Sequence, residues 1–256
     1  MLLRRIIAHV RKQEWTAIAI DFVIVVVGVF IGIQVANLND ERVNRQRAQG
    51  YLERIHDDLG ADIELYGDRM AFWADVSDYG RAGLTYAETG RAGDLSQWQV
   101  LLAYFQASQV AEFSTVDSTY SELTSAGELD LIADLQLRRS LALYYATAAN
   151  PILSERPAYR EHIRGIIPIA IQDHIWANCY QSSARGVQEM RACDAPISNA
   201  EAAAIVARIS RDATLMSELR YWVSTMRVAA VIGDNRTDYA NELRATVGAD
   251  LGLETQ

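Results

Sequence analysis

The chain has 256 residues, is 50% hydrophobic and carries a formal net charge of −9. From residue 37 onward 31 acidic side chains stand against 20 basic ones, which argues against nucleic acid as a partner and against lying flat on anionic lipid. Beyond one strongly apolar stretch, roughly 215 residues remain, enough for one sizeable core or two small ones.

That stretch is residues 15–38, WTAIAIDFVIVVVGVFIGIQVANL. Residues 18–35 are apolar except for Asp21 and Gln34, and no proline interrupts them. At about 1.5 Å per residue they cover about 27 Å, close to the hydrocarbon thickness of a bilayer. A lone segment in lipid must satisfy its own backbone, so it must be a helix. Trp15 lies where an interfacial aromatic belongs, and Asn37, Asn39, Asp40 and Glu41 end the run. A cleaved signal peptide fits less well, because its apolar region is shorter and Gln34 is a poor residue before Ala36 as a cleavage site. A buried helix of a soluble protein fits poorly too, since no other segment is apolar enough to surround it.

Gly28 and Gly32 form G-x-x-x-G, and Asp21 lies seven residues before Gly28, on the same face as Asn39. Small residues let two helix backbones approach, and an intramembrane carboxylate normally faces protein or water. The expectation is self-association through Asp21, Gly28 and Gly32. The competing reading has Asp21 reaching to the interface and the glycines incidental.

Arg4, Arg5, Arg11 and Lys12 precede the span, and Arg42, Arg45, Arg47 and Arg54 follow it, so basic counts alone do not orient it. The leading cluster is denser and has few acids. The two cysteines, Cys179 and Cys193, flank a polar, glycine-containing segment that a disulfide would close in an oxidising compartment. Neither has a second cysteine or a histidine at zinc-ligand spacing, so no metal and no cofactor is assigned. The expected arrangement is a cytoplasmic N-terminus over residues 1–14, a transmembrane helix over 15–38 and an extracytoplasmic helical domain over 39–256. The Arg-rich, Lys-poor composition points to a bacterial source, hence the inner membrane and a periplasmic domain.

After the span, Leu52, Ile55, Leu59, Ile63, Tyr66, Met70 and Trp73 recur at spacings of three and four, one stripe of a long amphipathic helix to about Tyr79. Gly80, Gly83, Gly90 and Gly93 read as a turn region. Trp98, Leu101, Leu102 and Phe105 mark the next helix, and residues 114–124 a short one closed by Gly127. Asp134 caps a helix carrying Leu137, Leu141, Tyr144 and Tyr145, which Pro151 ends. Pro157 suits the start of a helix to about Asn178, with a kink at Pro168. Ser198 and Glu201 form a capping box, and Asp212 caps a last long helix with Leu215, Leu219, Trp222, Val223 and Met226 inward. No β-alternation is convincing. The fold class is all-α: the transmembrane helix continues into the amphipathic helix, followed by an irregular multi-helix bundle. Its core should include Leu59, Tyr66, Leu101, Phe105, Leu123, Leu141, Tyr144, Ile166, Leu219 and Trp222.

Two groups of residues carry a resemblance. Asp21, Gly28 and Gly32 followed by Gln34, Asn37, Asn39, Glu41 and Arg42 form one. Tyr120-Ser-Glu-Leu-Thr-Ser-Ala-Gly, with Leu131-Ile132, Arg138 and Tyr144-Tyr145, forms the other. Over roughly residues 15–145 the chain resembles an uncharacterised bacterial membrane-anchored family, a domain of unknown function. It departs from that pattern at Leu38, where members often carry Trp, and at Asp21, where they often carry Glu. The resemblance implies an anchored helical protein and brings no activity.

His9, His56, His162 and His174 join no metalloprotease, phosphate-loop or nucleophile-elbow pattern. The hydroxyl cluster Ser114, Thr115, Asp117, Ser118 and Thr119 suits capping better than catalysis. Trp73, Trp98, Trp176 and Trp222 are expected in the core. The favoured function is therefore a non-enzymatic interaction, scaffold or sensor-like module. Its partners would be the lipid bilayer, a second copy through the transmembrane helix, and an unidentified membrane or periplasmic protein. The alternative is a membrane-tethered extracytoplasmic enzyme; convergent carboxylates and a histidine in one polar pocket would favour it, and an exposed apolar groove would favour a partner.

Overall fold

No proline lies between residues 15 and 89, and the chain there forms one uninterrupted helix, α1, Trp15–Thr89. At about 1.5 Å per residue it is about 110 Å long. The computed structural model describes residues 15–111, 114–147, 156–183 and 187–253. The leading basic cluster, His9 and Pro151 lie outside them.

After α1 come α2 (Gln97–Gln106), α3 (Ser118–Ser125), a 3₁₀ turn (Leu129–Leu131), α4 (Leu135–Ala146), α5 (Ala158–Ile166) and α6 (Ile169–Asn178). A short hairpin follows, β1 (Tyr180–Ser182) and β2 (Gln188–Met190), then α7 (Asn199–Ser210) and α8 (Ala213–Asp250). The all-α expectation holds, apart from that hairpin. Its antiparallel register pairs Tyr180 with Met190 and Ser182 with Gln188. Three-residue, mostly polar strands leave no alternation to read.

The span and the domain share α1 but not its environment. Residues 22–47 are exposed throughout, including Phe22, Ile24, Phe30 and Ile31. From Leu52 the same helix enters the core, where Leu52, Ile55, Leu59, Tyr66, Phe72, Trp73 and Val76 are buried. The thirteen residues between Leu38 and Leu52 form a mostly polar stalk about 20 Å long.

α8 runs antiparallel to α1 and forms its main partner. Gly80 lies against Val223, Gly233 against Met70, Gly60 against Arg244, and Gly248 against His56. The core is completed by Leu101, Tyr104 and Phe105 of α2, Leu123 of α3, Leu141 and Tyr144 of α4, and Leu219 and Trp222 of α8. Ile166 is only partly buried, at the edge of this core. Each fully buried aliphatic side chain contributes about 1.5–3 kcal/mol.

Two boundaries correct the sequence reading. α1 does not end near Tyr79; it runs through Gly80 and Gly83, where other helices approach closely, and the turn begins at Gly90. Only Gly90 and Gly93 of the four have positive φ, 68° and 61°. Pro168 ends a helix rather than kinking it, separating α5 from α6. The proline offers no N–H to the turn before it. Gln172 Nε2 fills that place by donating to the carbonyls of Arg164 and Ile167, each at 2.7 Å.

Three caps follow their sequence signals, whereas the hydroxyl cluster does not: Asp117, at the start of α3, makes no side-chain cap bond. Ser198 and Glu201 form a capping box, and Asp212 and Asp134 cap α8 and α4 with their side chains. Gly127 has a φ of 70° just beyond α3. A second capping box, Ser96 with Gln99, starts α2.

Candidate functional site

Asp21, Gly28 and Gly32 lie on one face of α1, as their spacing requires. A Cβ at either glycine would meet nothing within 4 Å, so the face is open. None of the apolar window of this helix is buried within the chain. That surface has no partner among the described residues of the chain.

A polar seam joins α1 to the segment 115–128. Arg47, Tyr51, Arg54, Asp58, Asp62 and Tyr66 recur at three- and four-residue spacing, so they form a strip along α1. Arg47 pairs with Glu128, and Tyr51 Oη donates to Glu128 Oε2 at 2.9 Å. Arg54 grips Glu122 with both terminal nitrogens, at 2.7 and 3.2 Å. Further along, the backbone N–H of Thr119 donates to Asp58 at 3.3 Å and that of Val116 to Asp62 at 2.7 Å. The hydroxyl-rich cluster thus docks by its backbone onto two helix carboxylates.

Asp62 is the centre of this seam and has no exposed surface. Tyr144 Oη donates to its Oδ2 at 2.7 Å and lies 2.8 Å from Tyr66 Oη, which is 3.0 Å from Thr115 Oγ1. Arg236 of α8 stacks over the Tyr144 ring at 4.2 Å. Its Nη1 donates to the carbonyl of Tyr144 and to Thr147 Oγ1. Burial pushes the Asp62 carboxyl up to about 6, against the opposing pull of the Tyr144 and Val116 hydrogen bonds and the Arg236 charge. Tyr120 stacks on Tyr145 at 4.4 Å beside them. The second motif read from sequence is therefore the partner of α1. Glu122, Tyr120, Tyr144 and Tyr145 gather there, while Asp62 itself gave no signal beyond being polar on a helix. The enclosure of Asp62 suits a latch between α1, α4 and α8.

Cys179 and Cys193 are brought to bonding distance, with Cα atoms 5.2 Å apart. The pair closes the hairpin over α2: Trp98 Nε1 donates to the carbonyl of Cys193 and Gln106 Nε2 to that of Cys179, both at 2.9 Å. His174, on α6, joins them. Its imidazole and the two sulfurs lie within 4.8 Å of one another. The sequence reading kept this histidine apart from the cysteines, because a five-residue separation from Cys179 matches no common zinc motif.

Two of the open grooves along α1 are shared with other elements. One, of about 410 Å³, is lined by Tyr79, Leu95, Leu102 and Met190 with Asp75 and Asp78 at its edge. Burial, then the Asp78 charge, raises the Asp75 carboxyl. The other, about 250 Å³, lies between α1 and α8 beside Met70, Trp73 and Met226. Among the described residues no histidine lines either groove. His162 instead pairs with Glu218 on the exposed surface at 2.8 Å.

Together these features define an all-α protein with, among the described residues, one helix long and apolar enough to cross a membrane, rooted in a domain closed by a cysteine pair. No protein-family model, curated protein or solved structure matches the chain.

Proposed function

We propose that this chain is a single-pass, membrane-anchored interaction module, with its N-terminus in the bacterial cytoplasm and its helical domain in the periplasm. One observation carries the reading. α1 is an open apolar rod at one end and the central core helix at the other, with no break between. A rotation or association of the span is therefore passed to the α1–α8 pair without a flexible joint. The lipid bilayer holds the rod, a second copy docks on the Asp21–Gly28–Gly32 face, and the domain presents its grooves to a periplasmic or membrane protein. The net acidic charge of the chain from residue 37 onward supports a protein partner over nucleic acid.

Two experiments test it. A reporter active only after export, fused after Gln256, should be active, and a cytoplasm-dependent reporter at the same place silent. The reverse pattern refutes the orientation. Two differently tagged full-length copies, co-expressed and extracted in mild detergent, should co-isolate. They should separate when the span is exchanged for an unrelated apolar helix. Co-isolation that survives the exchange would remove the span from the interaction.

A further inference from the structure

We infer that His174, Cys179 and Cys193 form a zinc site when the cysteine pair is reduced, so that these three residues have two alternative closed states. The inference stands on the geometry around the hairpin and is independent of membrane orientation.

The three donors already converge. The imidazole and both sulfurs lie within 4.8 Å of one another. A tetrahedral zinc ion, with bonds of about 2.3 Å to sulfur and 2.0 Å to nitrogen, needs donors about 3.5–3.8 Å apart. Rotation of the two freed thiols about their own Cα–Cβ bonds covers the difference. Two thiolates and one imidazole leave a fourth position for solvent, on the side where His174 and Cys193 are partly exposed.

The frame does not depend on the sulfur–sulfur bond. Cys179 is held by Gln106 Nε2 on its carbonyl at 2.9 Å and by the Arg191 N–H on the same oxygen at 2.9 Å. Cys193 is held by the Trp98 indole on its carbonyl. The β1–β2 ladder lies between the two cysteines and fixes their approach. His174 stands on α6, edge-on to Trp98 with ring centres 5.9 Å apart. Its Nε2–H donates to the carbonyl of Asp194 at 2.9 Å, and Asn178 Nδ2 lies 3.3 Å from Nδ1. Zinc at either nitrogen replaces the contact made there and leaves the other as the outer bond that orients the ring. Reduction itself opens one bond and leaves the hydrogen bonds to the two cysteine carbonyls in place.

The chemistry balances with a dithiol as reductant. A thiolate of the dithiol attacks Cys193 Sγ, the more exposed side, and the Cys179–Cys193 bond breaks with Cys179 leaving as thiolate. The second thiol of the dithiol resolves the mixed disulfide, releases Cys193, and becomes a cyclic disulfide. The two cysteines then carry two protons between them, which pass to solvent as Zn²⁺ binds both thiolates and the neutral imidazole.

The test uses the full-length chain in detergent micelles, reduced with a phosphine and freed of it under anaerobic conditions. Titration with Co²⁺ should raise thiolate-to-cobalt charge-transfer absorption that saturates at one ion per chain and is abolished by Zn²⁺. The oxidised chain should show none. His174→Gln, with unchanged helical circular dichroism, should weaken Zn²⁺ at least about tenfold in competition with a chromophoric chelator. X-ray absorption of the zinc-loaded wild type supplies a measurement that no variant can spoil, and should show two sulfurs and an imidazole nitrogen. Absence of charge transfer in the reduced chain, equal affinity in H174Q, or a zinc shell without imidazole would each overturn the assignment.

Discussion

Tyr144 donates its hydroxyl proton to Asp62 across 2.7 Å, at a point where neither side chain reaches solvent. The Asp62 carboxyl is raised to about 6, first by burial. An unfolded aspartate titrates near 3.9. The folded chain therefore holds a proton on the Asp62 carboxyl more tightly than the unfolded one. Asp62 contributes stability that is complete below about pH 4 and is lost as pH rises through about 6, amounting to about 2–3 kcal/mol. Other carboxylates titrate in the same window, so the observable is a difference. The thermal midpoint of wild type minus that of Asp62→Asn should fall from pH 4 to pH 7. A flat difference would mean that Asp62 stays ionised in the folded chain.

Gly83 tests the close approach of α2 to α1. A Cβ there would lie 2.7 Å from Tyr104 Cε1, and Tyr104 is fully buried with its hydroxyl donating to the Gly83 carbonyl at 2.8 Å. The ring is pinned from both ends and cannot retreat. Gly83→Ala should destabilise by about 1–3 kcal/mol. Gly67→Ala, where a Cβ meets nothing within 4 Å, should stabilise by up to about 1 kcal/mol through helix propensity alone. Chemical denaturation in micelles reads both; equal effects would show that the Tyr104 ring yields.

The same glycines show what sequence could and could not reveal. Gly80 and Gly83 accommodate neighbouring side chains, whereas Gly90 and Gly93 turn the chain, and composition does not separate the two uses. Periodicity located the stripe from Leu52 to Trp73 because burial on a helix leaves a 3.6-residue signature. It missed Asp62, which sits beside that stripe and is buried by a segment more than fifty positions away. Caps at Asp134, Ser198 and Asp212 were legible because they are local. The approach of His174 to the cysteines was not, because it depends on how α6 meets the hairpin.

The cysteine pair offers a chemical check. Mass spectrometry of non-reduced peptides, from protein isolated with thiols blocked, should find one linkage, Cys179 to Cys193. Their separation of fourteen residues makes the entropic contribution about 3 kcal/mol. Replacing both by serine should lower stability by about that amount. A serine pair as stable as wild type would show that the contacts of Trp98 and Gln106 hold the hairpin without help.

Where α1 goes next limits any seam between two copies. An apolar stripe such as that from Leu52 to Trp73 can serve either of two uses, extending a seam between two copies or packing into its own domain. Leu52, Ile55, Leu59, Tyr66 and Trp73 are buried within the chain, so the second use wins. A seam between copies is thereby confined to the span and the stalk before Leu52. There Asp21, Gly28 and Gly32 share an open face. Lipid supplies no hydrophobic drive between helices, so association must come from dense backbone packing and interhelical hydrogen bonds. Isoleucine at either glycine would hold the backbones apart. In a membrane association assay of the span, Gly28→Ile and Gly32→Ile should each remove most of the signal. Phe30→Leu, on the opposite side, should leave it unchanged. Asp21→Ala should weaken association about fivefold if Asp21 hydrogen-bonds across the seam, the equivalent of about 1 kcal/mol. If all four variants associate like wild type, the glycines are incidental and the domain must find its partner by its own surface.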